Sequence, residues 1–142
     1  MKSISLVVLQ SILAAALVLT ARPNAGDVLA MLLVLIGFSC GCWAVAAVGV
    51  RRARVMPEVS EQTQLVTSGP FRFVRHPMYT GLSIACVGFS LMPFQVWKAI
   101  ALAILILVLV LKSRLEETQL LAQFPEYEAY QKRTKRFIPF VL

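Results

Sequence analysis

Four apolar runs, residues 4–20, 28–50, 79–94 and 99–113, restrict this chain more than anything else in it. About 20 consecutive apolar residues are what a helix needs to cross the hydrocarbon of a bilayer. The chain is therefore expected to be all-α: a polytopic membrane bundle of four transmembrane helices with a cytoplasmic C-terminal helix, forming a single domain over 1–142. Composition agrees, because 142 residues of which 58% are hydrophobic and 15% charged are too apolar to hide inside one soluble core. The first run competes with a secretory signal peptide, since Lys2 precedes it and small residues follow. Its 17 residues exceed the usual apolar core of such a peptide, about 7 to 15, so it reads as a span. The third run has 16 residues, a rise of about 24 Å, and is the shortest for a crossing.

The net charge of +7 is placed where a membrane protein needs it. Arg51, Arg52, Arg54, Arg72 and Arg75 crowd the connection 51–77, and the positive-inside rule puts that loop in the cytoplasm. Counting spans then leaves both termini cytoplasmic, in the inner membrane if the cell is bacterial. Basic residues beside apolar runs, not along an aromatic-studded polar face, argue against nucleic acid as a partner. Cys40, Cys42 and Cys86 lie in apolar runs with no histidines at ligand spacing, so no metal is expected. Nothing in the sequence predicts an oligomer, a repeat or a second domain.

Gly37, Ser39, Gly41, Ala44, Ala46, Ala47 and Gly49 give the second span small faces against which another helix can pack closely. Past the fourth run, the segment 114–142 is interfacial in character. Leu121, Phe124, Tyr127 and Tyr130 recur every three residues, and Pro125 is expected to reset the helix. Lys132, Arg133, Lys135 and Arg136, followed by Phe137-Ile138-Pro139-Phe140, read as an anchor adhering to anionic lipid.

One stretch stands apart. Arg75-His76-Pro77-Met78-Tyr79-Thr80-Gly81 sets the only histidine of the chain beside a charge at the mouth of an apolar run. Pro77 fits the first turn of a helix, and Gly81 leaves a surface where a ligand or a neighbouring backbone can come close. The third and fourth runs are joined by a short turn, so they pack antiparallel. That brings Arg75, His76 and Tyr79 near Lys112, Arg114, Glu116 and Glu117. Each member has an ordinary explanation: positive-inside bias for Arg75 and Lys112, helix initiation for Pro77, an aromatic belt for Tyr79. An Arg75–Glu116 salt bridge of purely structural purpose explains part of the rest. The carboxylates are harder to dismiss, because the chain has only seven acidic residues, and ionisable groups at a membrane interface are functional candidates.

The segment Gly69-Pro70-Phe71-Arg72-Phe73-Val74-Arg75-His76-Pro77-Met78-Tyr79-Thr80-Gly81, with Glu116-Glu117 later, resembles the R-H-P-x-Y-x-G and E-E signature of the integral-membrane methyltransferases. These include the isoprenylcysteine carboxyl methyltransferases and the phospholipid N-methyltransferases. Phe124-Pro125-Glu126-Tyr127 through Tyr130 is similar to the family's F-G-x-E-Y-x-x-Y tail, so the resemblance covers about 63–140. It departs at Pro125, where the family commonly has glycine, in a tighter spacing to Tyr127, and in Thr134-Lys135-Arg136 for a more usual Val-Pro-Arg.

The resemblance implies S-adenosylmethionine as cofactor, held by Gln64, Leu65, Val66, Phe71, His76, Pro77, Met78, Tyr79, Glu116 and Glu117. It implies a lipophilic methyl acceptor entering from the bilayer, with membrane lipids as the surrounding partners. An isoprenylcysteine-like carboxylate is favoured as acceptor, oriented by Lys112 or Arg114, with Arg75 as a further catalytic cation. An amine acceptor, as in phospholipid N-methylation, would instead require His76 or a glutamate as base. A membrane scaffold that keeps the fold without catalysis is the rival from another class.

Overall fold

The structure is a computed structural model that describes residues 2–49 and 65–138. Gln64 and most of the basic connection lie outside the described residues. Those described form five α-helices and no strand: α1 (Lys2–Leu19), α2 (Val28–Val48), α3 (Pro77–Ser90), α4 (Val96–Gln123) and α5 (Tyr127–Arg133), with a short 3-10 helix at Gly69–Arg72 before α3.

Two of them, α2 and α4, are long and apolar enough to cross a membrane. The other two apolar helices are shorter. The 14 residues of α3 rise about 21 Å against a hydrocarbon layer of ~30 Å. This helix begins at Pro77, with His76 as its N-cap residue at φ −124° and ψ 59°, and stops at Ser90, before the end of the apolar run. The chain then turns through Leu91–Phe94, whose ends pair as an isolated antiparallel bridge. Conversely, α4 continues well past the run 99–113. Its sequence from Lys112 to Gln123 has no glycine or proline, and it stops one residue short of the Phe124-Pro125 pair. Phe124 is driven to an extended φ of −122°. The segment expected to lie along the interface from residue 114 thus starts as a projecting end of α4.

Glycine explains the tightest contact. A Cβ on Gly81 would lie 2.6 Å from the carbonyl oxygen of Gly37 and 2.7 Å from the amide nitrogen of Gly41. One on Gly88 would lie 2.6 Å from the carbonyl oxygen of Ala30. Backbone meets backbone along the α2–α3 seam, an approach only small residues permit. The core gathers on the other side of α3, where Leu17, Cys86, Ala101, Leu105 and Leu109 join α1, α3 and α4. Large apolar side chains such as Phe38, Leu35 and Trp43 on α2 and Ile100 and Leu107 on α4 point outward, as they do where the solvent is hydrocarbon.

At the Val96 end, the fully buried Lys98 donates from Nζ to the carbonyls of Thr20 at 3.1 Å and Met92 at 2.9 Å. At the opposite end the C-terminal segment folds back on the residues preceding α3. Val74 pairs with Lys135 as a parallel bridge. The Arg75 amide donates to the Lys135 carbonyl at 2.8 Å, and the His76 amide to that of Arg136 at 3.1 Å. Thr80 Oγ1 adds a bond to the Phe137 carbonyl at 2.8 Å. This strap, residues 134–137, leaves Arg136 beside the first turn of α3.

Candidate active site

Pro77 opens α3 and leaves His76 at the non-helical N-cap position before it, so the imidazole enters the bundle instead of following the helix. It meets α4 where the apolar run has ended and Glu116-Glu117 begin. His76 Nε2 lies 3.0 Å from Glu117 Oε1, and Nδ1 lies 3.5 Å from Glu116 Oε2. A carboxylate thus faces each ring nitrogen. Its ring stacks on Tyr79, centroids 5.3 Å apart and planes 2° from parallel, and Tyr79 Oη donates to Glu116 Oε2 at 3.2 Å.

Glu117 is the hub. Its side chain is 4% exposed, and its two oxygens collect donors from three further places in the chain. Arg75 Nε donates to Oε1 at 2.8 Å, Arg136 spans both oxygens at 3.1 and 2.5 Å, and Gln131 Nε2 donates to Oε2 at 3.3 Å. Arg75 in turn donates to the backbone carbonyls of Gln131, at 3.0 Å, and Thr134. Burial alone would push the Glu117 carboxyl up. The hydrogen bonds from His76, Arg136 and Arg75 outweigh it and hold the carboxyl well below the usual carboxylate range. The same bond raises the Arg136 guanidinium above its ordinary value. Tyr130, pushed up to about 12 chiefly by burial, stays protonated and donates to the Phe71 carbonyl at 2.6 Å. Tyr127 is buried beside these charges, and its hydroxyl has no hydrogen-bond partner among the described residues.

Next to the hub opens a cleft of about 460 Å³ between α4 and the α5–strap segment, lined by Arg75, Val110, Arg114, Arg133, Arg136 and Phe137 among others. The residues singled out from sequence divide accordingly. Arg75, His76, Tyr79, Glu116 and Glu117 form one cluster, and Arg114 faces the cleft. Lys112 is fully buried on the α1 side, 2.5 Å from Gln10 Oε1, with its ammonium 5.3 Å from the centre of the Tyr79 ring. Pro77 is buried and accepts from Cys40 Sγ at 3.6 Å. Leu65, Val66, Phe71 and Met78 are half-buried and do not line the cleft, while Gln64 lies outside the described residues. Arg75 pairs with Glu117, where the sequence suggested Glu116.

Three contributors were not singled out. Arg136 was read as lipid adhesion, yet it grips Glu117; the signal was the arginine retained in Thr134-Lys135-Arg136. Gln131 had no signal, and Gln10 had only its polarity within an apolar run. Among the described residues, no group of three or more His, Cys, Asp or Glu could hold a metal ion.

The fold and cluster define a helical membrane protein whose buried polar site, among the described residues, joins an R-H-P motif to a pair of glutamates. The family model described as phospholipid methyltransferase matches residues 26–127, and the chain belongs to this family of membrane methyltransferases. The nickel-cobalt-cadmium resistance protein NccN of Alcaligenes xylosoxydans xylosoxydans is 34% identical over 80 residues, which are 56% of this chain and 38% of that protein. The match therefore spans well under half of that relative's length. No solved structure matches the chain.

Proposed function

We propose that this chain is an S-adenosylmethionine-dependent methyltransferase acting on a lipophilic acceptor, with a carboxylate favoured over an amine. It would work at the cytoplasmic face of a membrane that α1 to α4 all cross, with both termini on that face and, in a bacterium, in the inner membrane. The observation that carries the reading is that His76 and Glu117, 41 residues apart in sequence, lie in hydrogen-bond contact beside an open cleft, with Glu116 and Tyr79 adjoining.

The donor set fits the cofactor, which presents an ammonium, a carboxylate and a sulfonium. Glu116, with 31% of its side chain exposed, is the carboxylate with room to receive an ammonium. Arg136, at the border of hub and cleft and 27% exposed, suits the cofactor's carboxylate. The stacked rings of His76 and Tyr79 offer π surface to a positive sulfur, and the buried Tyr127 hydroxyl is a group that a ligand could satisfy. When bound, S-adenosylmethionine supplies a methyl group already activated by its positive sulfur.

The chain's own contribution is placement. Glu117 fixes the directions of Arg75, Arg136 and His76, and Arg114 turns a cation into the cleft where an acceptor carboxylate would lie. An amine acceptor would have to lose a proton, but both ring nitrogens of His76 already face carboxylates and His76 does not line the cleft. That favours O-methylation.

Two measurements test the reading. Calorimetry should detect S-adenosylmethionine binding to the purified protein, lost in Glu116→Ala while the fold persists by circular dichroism. Unchanged affinity in Glu116→Ala and His76→Ala together would defeat the site. Membranes given methyl-labelled cofactor should yield base-labile label, as an ester does; base-stable label would assign an amine acceptor.

A further inference from the structure

Gln10 stands midway along α1, inside an apolar run, where a side-chain amide is costly unless it finds a partner. Ser11 and Thr20 turn their hydroxyls back on carbonyls of the same segment, Val7 at 2.9 Å and Ala16 at 2.6 Å. Gln10 reaches across to α4 instead, where its Oε1 accepts from Lys112 Nζ at 2.5 Å. The whole of α1 lies outside the residues 26–127 that match the family model, so this contact meets the site from beyond the matched stretch.

Its consequence falls on α4. Lys112 and Glu116 are one helical turn apart and opposite in charge, a spacing at which lysine and glutamate ordinarily pair. Lys112 is fully buried, and in such surroundings the pull of a carboxylate is stronger than in water. Yet Glu116 meets Tyr79 Oη at 3.2 Å and His76 Nδ1 at 3.5 Å, while the Lys112 ammonium bonds to Gln10 and lies 5.3 Å from the centre of the Tyr79 ring. A neutral acceptor on α1 holds the cation where a carboxylate one turn along would otherwise take it.

We infer that Gln10 is a positioning residue: by keeping the Lys112 ammonium on α1, it leaves Glu116 open to the ammonium of the cofactor. Without the amide, Lys112 swings onto Glu116 and competes with the ligand from inside the protein. The inference rests on the reading above in which Glu116 receives S-adenosylmethionine, and it adds α1 to the elements that set cofactor affinity.

Two probes separate this role from plain helix packing. S-adenosylhomocysteine carries the amino-acid ammonium; methylthioadenosine shares its adenosine and thioether but lacks that ammonium. Calorimetry on the full chain in a neutral maltoside micelle should show Gln10→Leu weakening S-adenosylhomocysteine by about tenfold, the scale of one charge-assisted hydrogen bond, with methylthioadenosine unchanged. Gln10→Asn, which withdraws the amide by one methylene, should show the same pattern in smaller measure. Equal losses for both probes would mean general loosening of α1 against α4 and overturn the proposal. Gln10→Glu keeps an acceptor oxygen and should bind S-adenosylhomocysteine as the unaltered chain does; a tenfold loss there would also overturn it.

Adding Lys112→Met to Gln10→Leu removes the invading cation and should restore the affinity for S-adenosylhomocysteine. A folded double variant that stays weak would show that Gln10 does not act through Lys112. The swing itself is read without any cofactor. Dicyclohexylcarbodiimide enters micelles and joins an amine to an adjacent carboxylate with loss of water, and trypsin cleaves after Arg114, so a Lys112–Glu116 cross-link appears by mass spectrometry as two peptides that stay joined. Its yield should rise in Gln10→Leu over the unaltered chain. No rise would overturn the proposal whether or not the cofactor binds. A rise in a protein that binds neither S-adenosylmethionine nor S-adenosylhomocysteine would sink the methyltransferase reading and leave the hold of Gln10 on Lys112 standing.

Discussion

At its Val96 end α4 buries a cation, and beyond its apolar run it buries an anion; the two charges are neutralised by different means. Lys98 is held by backbone carbonyls, one of them Thr20, just past the C-terminus of α1 where the helix dipole is negative. Its ammonium also lies 5.9 Å from the centre of the Trp97 ring. Backbone groups cannot be exchanged for a ligand, so this end is a fastener joining α1, the Leu91–Phe94 turn and α4. Glu117 is held by side chains from the residue run before α3, from α5 and from the strap. Side chains can reorient, and an open cleft lies against them. A buried charge alone does not mark a functional site; a buried charge whose partners can be rearranged beside a cavity does.

The largest effect expected of breaking this contrast is that of Glu117→Ala. It strands Arg75 and Arg136 without the carboxylate they share, and losing one partner of a buried ion pair costs roughly 3–5 kcal/mol. Denaturant titration in detergent should show that loss, and cofactor binding should go with it. Gly81→Ala should follow at roughly 1–3 kcal/mol, the usual penalty for overpacking. Its new methyl meets backbone of α2, which cannot swing aside as a side chain would. Lys98→Met leaves the carbonyls of Thr20 and Met92 without their donor and should cost about 1–3 kcal/mol, yet ligand binding should survive in the folded fraction. Should Lys98→Met abolish cofactor binding while the protein stays folded, the two ends of α4 are not distinct in role and the contrast fails.

Much of this arrangement was legible in the residues themselves. The apolar runs announce helices, Pro77 announces where α3 starts, and Pro125 where α4 must stop. A short connection between α3 and α4 was enough to bring His76 to the glutamates. What could not be read was rotation and return. Adjacent residues on a helix point about 100° apart, so deciding between Glu116 and Glu117 as the partner of Arg75 requires the rotation of α4 about its axis, which packing fixes. Lys112 and Arg114 differ by about 200° for the same reason, and one faces α1 while the other faces the cleft. Arg136 was obscure because the strap pairs residues some sixty positions apart through two backbone bonds, and such a contact leaves no periodicity in the sequence.

The smallest effects concern pH, and they separate the buried carboxylate from an exposed one. Glu117 has a folded-state pKa below its ordinary 4.5, since the bonds from His76, Arg136 and Arg75 more than offset the upward push of burial. A depressed carboxylate adds stability that is fully present above the unfolded value. That stability is lost as pH falls from about 4.5 toward the folded value, because the unfolded chain then binds the proton more readily. The thermal midpoint should therefore fall with acidification below that point. In Glu117→Gln it should start lower and lose much of that slope. Glu128 is also depressed, by its bond to Lys132, but that pair stands in solvent with side chains 66% and 73% exposed. Water and salt screen it, and exposed pairs of this kind contribute little. Glu128→Gln should accordingly leave both the midpoint at neutral pH and its fall in acid where they were. An acid profile that flattened in Glu128→Gln and persisted in Glu117→Gln would move the pH-sensitive charge out of the bundle and onto the surface of α5.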